Sequence, residues 1–462
     1  KDSMSGTFRD INVPPMLMAF GITTIDARKV ISPEFKTAGN KLYLIAHTPE
    51  KKFTPNIKQL KQNFSFVKEN INNENIVAAF AIGFGGVAEA VAKMSFGNEV
   101  GVKISCDEQM LFDYNYGSIL VESTETLNYE NAILLGETIS DKVLVVNNEQ
   151  LLLDDLYRVN TELFETIYPA KGAVGSVTRI ADCQQISKLY NGAKVQEVKV
   201  YLPVFPGTNC DYDTARAFER AGATTEIGVF CNLSEKAILD SIDAMCKSID
   251  ESHIFVLSGG FSLGDEPDGS GKFIANVLNN EKVTRAVHQL LDRGGLILGI
   301  CNGFQALVKS GLLPYGRLGM VSKSSPTLFH NDIHRHISQI VSTRVGSTAS
   351  PWLSSFNVGD LRSIAVSHGE GKFVVSNELA EELFANGQVA FQYADVEGNP
   401  TTDAPFNPNG SYFGIEGIIS KDGQILGKMG HTERYDEGLM KNIHGNRSQS
   451  IFENAVNYFK NK

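Results

Sequence analysis

The sequence predicts an α/β protein whose second half is built on a doubly wound, mostly parallel sheet. Three observations carry that prediction. Residues 198–313 alternate strand-like and helix-like segments in a β-α-β-α-β rhythm. The first of these strands, VKVYLPVF at 198–205, is a continuous apolar run, the pattern of a strand buried on both faces. The stretch LILGICNGFQALVKSGLL, 296–313, reads as a short apolar strand, a sharp turn and a helix.

Taken in order, residues 1–35 mix short apolar runs with Pro14, Pro15 and Pro33. The chain opens KDSMSG, without an initiator methionine and already in a loop, so it is expected to be a piece of something longer, cut inside a domain. KLYLIAHT (41–48) predicts a strand and PNIKQLKQNFSFVKENI (55–71) a helix. Residues 76–97 run from an apolar strand through glycines into an alanine-rich helix. LFDYNYGSILVES and AILLGETI read as further strands, and 151–168 as a helix, so this first region is also α/β. Residues 169–194 read as a linker. After VKVYLPVF come PGTNCD, the helix DYDTARAFERAGA, the strand TEIGVF and a helix near 234–249. HIFVLSGGFS (253–262), a helix near 272–293 and LILGIC complete the rhythm. Ligands of such sheets bind beyond the carboxyl ends of the strands, where PGTN, SGGFS and Cys301 all fall.

A chain of 462 residues is expected to hold two or three domains. Hydrophobic content of 42% and charged content of 21% belong to a soluble globular protein. No apolar run approaches the roughly 20 residues that span a membrane, and no signal-peptide pattern is visible. The six cysteines (106, 183, 210, 231, 246 and 301) are scattered without a C-x-x-C pair, which points to a reducing cytoplasm rather than to disulfides or zinc. A net charge of −11 argues against nucleic acid as the main partner.

Cys301 sits on the turn between strand and helix, where the first unpaired N–H groups of the helix and its dipole favour a thiolate. Gly299 and Gly303 flank it as glycines flank the serine of a hydrolase elbow; the tight turn and access to the sulfur both suit glycine. A buried structural cysteine is the competing reading, and a base decides between the two. His431 is the best-placed histidine, in GQILGKMGHTERY after a strand and a glycine turn. In extended backbone residues i and i+2 point the same way, so Glu433 can hold the imidazole. SGGFSLGD, 258–265, supplies glycine N–H groups suited to an oxyanion.

GICNGFQ, SGGFSLGD, VFPGTNCDYDTARAFERAG, VSHGEGKF and GHTER occur together and in order. Over about residues 196–440 they resemble the class I glutamine amidotransferase domain of the phosphoribosylformylglycinamidine synthases. The resemblance implies Cys301 as nucleophile, His431 as base and Glu433 as third member. It implies that the Gly259–Gly260 loop, Phe261 and the N–H of Asn302 serve the oxyanion and substrate. Gln305 and the loop His368-Gly369-Glu370-Gly371 would lie around the glutamine pocket. KDSMS and IGFGGVAEAVAKMSFGNEVGV resemble the synthetase portion of the large fused form. The implied organisation is a remnant of a preceding synthetase domain (1–35), a PurM-like C-terminal α/β domain (36–168), a linker (169–195) and a class I glutaminase domain (196–462). Glutamine hydrolysis would need no cofactor. The complete synthase would use ATP and magnesium, with formylglycinamide ribonucleotide and ATP bound in a missing N-terminal portion as partner, and the expected location is cytoplasmic.

Two departures stand out. The segment Phe80–Gly86 carries no acid where many relatives have aspartates suited to magnesium, so no metal site is assigned. Thr432 stands where relatives often have proline. His330, His334 and His336 are read as a surface or pocket-rim cluster rather than a metal site, Cys210 as structural and Trp352 as packing. The alternatives are another cysteine hydrolase of the same sheet type, such as a DJ-1-like peptidase, or a catalytically silent docking fragment. The isolated chain is expected to hydrolyse glutamine slowly or not at all.

Overall fold

The computed structural model describes residues 2–8, 11–51, 54–163, 165–166, 169, 179–185, 189–264 and 269–460. It divides into two compact units, Lys1–Phe164 and Glu165–Lys462. Much of the expected linker (170–178 and 186–188), Asp265 of the glycine loop and Lys1 of the opening motif lie outside the described residues.

The first unit begins with an antiparallel hairpin of β1 (Asp2–Phe8) and β2 (Ile11–Met18). There follow β3 (Lys41–Ile45), α1 (Ile57–Asn72), β4 (Ile76–Ala81), α2 (Gly86–Phe96), β5 (Gly101–Ile104), α3 (Glu108–Phe112), β6 (Ile119–Ser123), β7 (Ala132–Ile139), β8 (Val143–Val146), β9 (Glu149–Leu152) and α4 (Leu153–Glu162). The seven-stranded sheet has the order β4-β6-β3-β7-β5-β8-β9 and is antiparallel except for β5 with β8. Leu42 and Leu44 pack on one face with Val87, Ala90 and Met94 of α2, while Tyr43 and Ile45 pack on the other with Val67 of α1. Burial on both faces is why β3 reads as a continuous apolar run.

Two segments depart from the sequence reading here. Leu111 and Phe112, expected in a strand, end α3, because the Asp107 side chain accepts the Gln109 N–H and starts a helix. Leu151 and Leu152, expected in a helix, lie in β9. Asn147 and Asn148 make a two-residue turn, with Asn147 at φ 57°, that folds β9 back on β8.

The second unit carries the predicted rhythm: β10 (Lys199–Val204), α5 (Asp211–Arg220), β11 (Thr224–Val229), α6 (Glu235–Glu251), β12 (Ile254–Leu257), α7 (Lys272–Leu278), α8 (Glu281–Asp292), β13 (Leu296–Ile300) and α9 (Asn302–Ser310). The single helix expected over 272–293 is two, because Asn280 caps a new one through its side chain. The chain continues through α10 (Leu312–Tyr315), β14 (Thr327–Phe329), β15 (Ile337–Val345), β16 (Leu361–His368), β17 (Lys372–Val374), α11 (Asn377–Ala385), β18 (Val389–Tyr393), β19 (Ile415–Ile419), β20 (Ile425–Lys428) and α12 (Ile451–Lys460).

One nine-stranded sheet has the order β11-β10-β12-β13-β20-β19-β18-β15-β16. The first five strands are parallel, as the rhythm predicts, and the last four extend the sheet antiparallel. The order turns at β10, from which β11 lies to one side and β12 to the other, so the carboxyl ends of β10, β12 and β13 frame a crevice. Residues 179–185, read as uncommitted linker, are tied to this unit. The Ala181 N–H donates to Gln392 Oε1 at 2.7 Å, Arg344 donates to the Ala181 carbonyl at 2.7 Å, and Cys183 bridges Ser347. Such backbone strapping leaves no periodic trace in a sequence.

Candidate active site

Strand β13 ends at Ile300, and Cys301 makes the turn into α9 at φ 51° and ψ −105°. A non-glycine residue held there stores strain that only the surrounding packing can sustain. The two flanking glycines answer a different need from the one expected. A Cβ on Gly303 would stand 1.9 Å from the Leu257 carbonyl oxygen, and one on Gly299 2.8 Å from the Gly303 carbonyl. They let α9 lie against the strand ends; the strained φ belongs to the cysteine itself. Cys301 is 5% exposed, and its N–H donates to the Lys428 carbonyl at 2.9 Å.

His431 follows β20, and its N–H donates to the Ala365 carbonyl of β16 at 2.8 Å. Its Nδ1–H donates to Glu433 Oε1 at 2.6 Å, with both side chains buried. The expected pair is present, but not through extended backbone. Thr432–Arg434 is a short 3₁₀ turn that begins at His431, and its rise of about 2 Å per residue keeps i and i+2 within reach. Burial alone would lower the His431 pKa. The charges of Glu433 and Cys301, with hydrogen bonding from Cys210 and Cys301, outweigh it and hold the imidazole well above its ordinary value. Burial would raise the Glu433 pKa, but the charge and hydrogen bond of His431 hold it below the usual carboxylate value. With Nδ1 taken, the buried Nε2, which meets no hydrogen-bond partner at ordinary distance among the described residues, is the ring nitrogen left to move a proton.

The glycine loop after β12 closes the crevice from the other side. A Cβ on Gly259 would stand 2.9 Å from His431 Cε1, 3.1 Å from Cys210 Sγ and 3.5 Å from Cys301 Cβ, so only glycine leaves the space between His431 and Cys301 open. Asn302 is the first residue of α9, so its backbone N–H belongs to the N-terminal turn of that helix. Its side chain braces the loop, accepting the Ser262 N–H at 3.2 Å and donating to Gln305 Oε1 at 3.0 Å. The Phe261 N–H donates to the Gly207 carbonyl at 2.8 Å, which leaves Phe261 a place in the pocket wall rather than a donor's role.

A cavity of ≈ 350 Å³ opens over Cys301, lined by Gly260, Phe261, Gln305, the three rim histidines His330, His334 and His336, and the loop His368-Gly369-Glu370. Gln305 donates to the Glu370 carbonyl, so its amide ties helix to loop. Glu370 Oε2 accepts the Ser270 N–H at 2.8 Å, and Oε1 lies 3.5 Å from His330 Nδ1. Burial, with His431 and His336 nearby, pushes the His368 pKa down to about 3. The neutral ring then donates from Nδ1 to Asn331 Oδ1 at 3.2 Å and takes the Asn409 amide at Nε2 at 3.5 Å.

Cys210, read as structural, stands beside the dyad: its sulfur is 3.9 Å from His431 Nδ1 and accepts from Arg434 at 3.4 Å. The motif PGTNCD placed it at a strand end, but only the fold reveals the neighbour. Among the described residues Cys210, His431 and Glu433 are the one group whose ligand atoms could meet a metal, all within 4.8 Å. The Arg434 charge on the sulfur and the closed His–Glu hydrogen bond do not fit a cation there. Among the described residues no helix is long and apolar enough to cross a membrane.

The sequence profile of the CobB/CobQ-like glutamine amidotransferase domain matches residues 197–459, more than half of the chain. The chain belongs to that glutamine amidotransferase family. The amidotransferase region is 36% identical over 245 residues to the phosphoribosylformylglycinamidine synthase subunit PurQ of Sulfurimonas denitrificans, covering 53% of this chain and 93% of the relative. It is 34% identical over 257 residues to the subunit of the same name from Chlorobaculum tepidum, covering 55% of this chain and 97% of the relative. A solved structure of PurLQS from Thermotoga maritima covers 57% of this chain and 100% of the matched chain, at 26% identity and a TM-score of 0.42. The amidotransferase profile leaves the first unit, Lys1–Phe164, outside its match.

Proposed function

We propose that the amidotransferase region hydrolyses glutamine at Cys301 and delivers the ammonia to an ATP-dependent synthetase that converts formylglycinamide ribonucleotide to its amidine. The observation that carries the reading is a buried His431–Glu433 pair at 2.6 Å beside a cysteine strained into an elbow, in a family of glutamine amidotransferases. The Cys301 thiolate attacks the side-chain amide carbon, and the N–H of Asn302 and the Gly259–Gly260 loop take the oxyanion. His431 gives its Nε2 proton to the departing amine, and ammonia leaves as the thioester forms. His431 then takes a proton from water, the hydroxide attacks the thioester, and glutamate departs as the thiolate returns. Glu433 keeps the imidazole ring oriented throughout. The buried Glu370 carboxylate matches the α-ammonium of glutamine, and Arg335 on the same wall matches its carboxylate.

In this reading the first unit is the end of the synthetase, divided from the amidotransferase as 1–35, 36–168, 169–195 and 196–462, and the remaining synthetase is the partner in the cytoplasm. ATP and magnesium belong to that partner's step. The Phe80–Gly86 turn does not fit them: it has no acid, and the neighbouring Glu89 accepts the Gly85 N–H at 2.9 Å and pairs with Lys93. The test is labelling with 6-diazo-5-oxonorleucine, read by peptide mass spectrometry. A single adduct on Cys301 that glutamine prevents, and that is absent from Cys301→Ala, is the expected result. No adduct, or labelling scattered over several cysteines, overturns the reading.

A further inference from the structure

We propose that Lys428 is a positioning residue that couples the nucleophile's elbow to the turn carrying the base; this rests on the glutaminase reading above. Lys428 ends β20 and is paired in register with Ile300, the residue before Cys301. Its two ends serve the two halves of the site. The carbonyl accepts the Cys301 N–H at 2.9 Å. The ammonium, on a side chain with no exposed surface, donates to the Gly430 carbonyl at 2.8 Å and to Thr432 Oγ1 at 3.1 Å, and lies 3.3 Å from Glu416 Oε1.

Glu416, on β19 and equally buried, accepts the Gly430 N–H at 2.6 Å. The residue before His431 is therefore gripped at its carbonyl by the lysine and at its N–H by the glutamate. Thr432, the residue after His431, donates its hydroxyl hydrogen bond to Gln449 Oε1 at 2.5 Å while accepting from the lysine. The ring of Phe391, 5.4 Å from the ammonium, is part of the apolar wall around the pair. This gives the departure at Thr432 a physical reason: a proline presets such a turn through its ring, and here a hydroxyl bonded on both sides does so.

Burying both charges is not a cheap way to stabilise a core. A well-packed apolar pair of the same volume is often as stable or more so, whereas leaving one charge alone is costly. Backbone pairing alone would hold β20 in the sheet. The side chain adds the grip on the two residues that flank His431.

The experiment uses the full chain and measures the maximal inactivation rate and the half-saturating concentration of 6-diazo-5-oxonorleucine across pH. The variants are Thr432→Val, Thr432→Ser, Lys428→Met and the charge-neutral pair Lys428→Met with Glu416→Gln. In the pair the maximal rate should fall on the order of 10²-fold, the scale expected when reacting groups are misplaced by about 1 Å. Half-saturation should stay within about twofold, since neither residue lines the pocket, and the alkaline limb of the pH profile should move. Thr432→Val should fall about tenfold and Thr432→Ser should keep the parent rate, which decides the matter if the lysine variants do not fold. A folded double variant with the parent rate overturns the proposal. So does a loss in which rate and half-saturation change together, because that reports a collapsed pocket. A parent chain that never labels at Cys301 instead sinks the glutaminase reading itself.

Discussion

Replacing Glu433 by glutamine removes one charge from the site and almost nothing else. The two side chains have the same shape, and the glutamine carbonyl can still accept the Nδ1–H of His431, which now sits 2.6 Å from the carboxylate. The amide's N–H₂ inherits the position of Oε2, which has no hydrogen-bond partner among the described residues. A buried amide without a partner costs about 1–3 kcal/mol, which a domain can survive. The electrostatic effect is larger. Unit charges centred about 4 Å apart interact by about 4 kcal/mol at an effective dielectric constant near 20, or up to about three pKa units. Burial lowers the His431 pKa while Glu433 and Cys301 raise it, so losing the larger opposing charge must bring it down. Inactivation by 6-diazo-5-oxonorleucine needs an acid to protonate the diazo carbon before dinitrogen leaves, and the His431 imidazolium is the acid at hand, so the alkaline limb of the inactivation profile should shift acidward by up to about three pH units. On the alkaline side of both profiles the maximal rate should fall about tenfold for each pH unit of displacement, with half-saturation unchanged, as each unit of pKa is tenfold in imidazolium. The assay is inactivation by 6-diazo-5-oxonorleucine followed by intact mass from pH 5 to 10. An alkaline limb that stays in place, with a rate within twofold of the parent, would refute the reasoning.

Two further outcomes follow from the geometry. Gly303→Ala puts a methyl 1.9 Å from the Leu257 carbonyl oxygen, where backbone must move. It should cost at least the 1–3 kcal/mol of core overpacking and abolish labelling at Cys301, and a parent-like melting temperature with normal labelling would contradict the account of the elbow. His368 has a folded pKa near 3 against an ordinary 6.5, so its contribution is complete above pH 6.5 and is lost as pH falls, because the unfolded chain binds the proton first. At about 1.4 kcal/mol per pH unit that is up to about 5 kcal/mol by pH 3. Urea midpoints between pH 4 and 7 should therefore fall less steeply with acid in His368→Gln than in the parent.

What the sequence by itself determined is local in origin. The apolar runs of β10, β12 and β13 announce strands buried on both faces, and the alternation with amphipathic helices announces the parallel half of the sheet. The elbow at Cys301 and the spacing of His431 and Glu433 could be read because each spans only a few residues. Their reasons could not: Gly303 of the elbow answers to Leu257, some forty residues earlier, and the His–Glu pair is closed by a 3₁₀ turn rather than a strand. The tertiary structure alone decided the antiparallel half of the sheet and the strap at 179–185. It also decided the placing of Cys210 against His431 across 221 residues and the closure of the pocket by Gln305 on Glu370 across 65. Lys428 is the sharpest case. Its sequence position marks it only as the last residue of a strand, and a lysine there is ordinarily read as solvent-facing. It becomes a buried tie because β19 places Glu416 beside it and the chain after His431 returns Thr432 above it. Periodicity reports which face of an element is apolar; it carries no information about which distant polar group will satisfy a buried charge, and that pairing exists only once the strands have assembled.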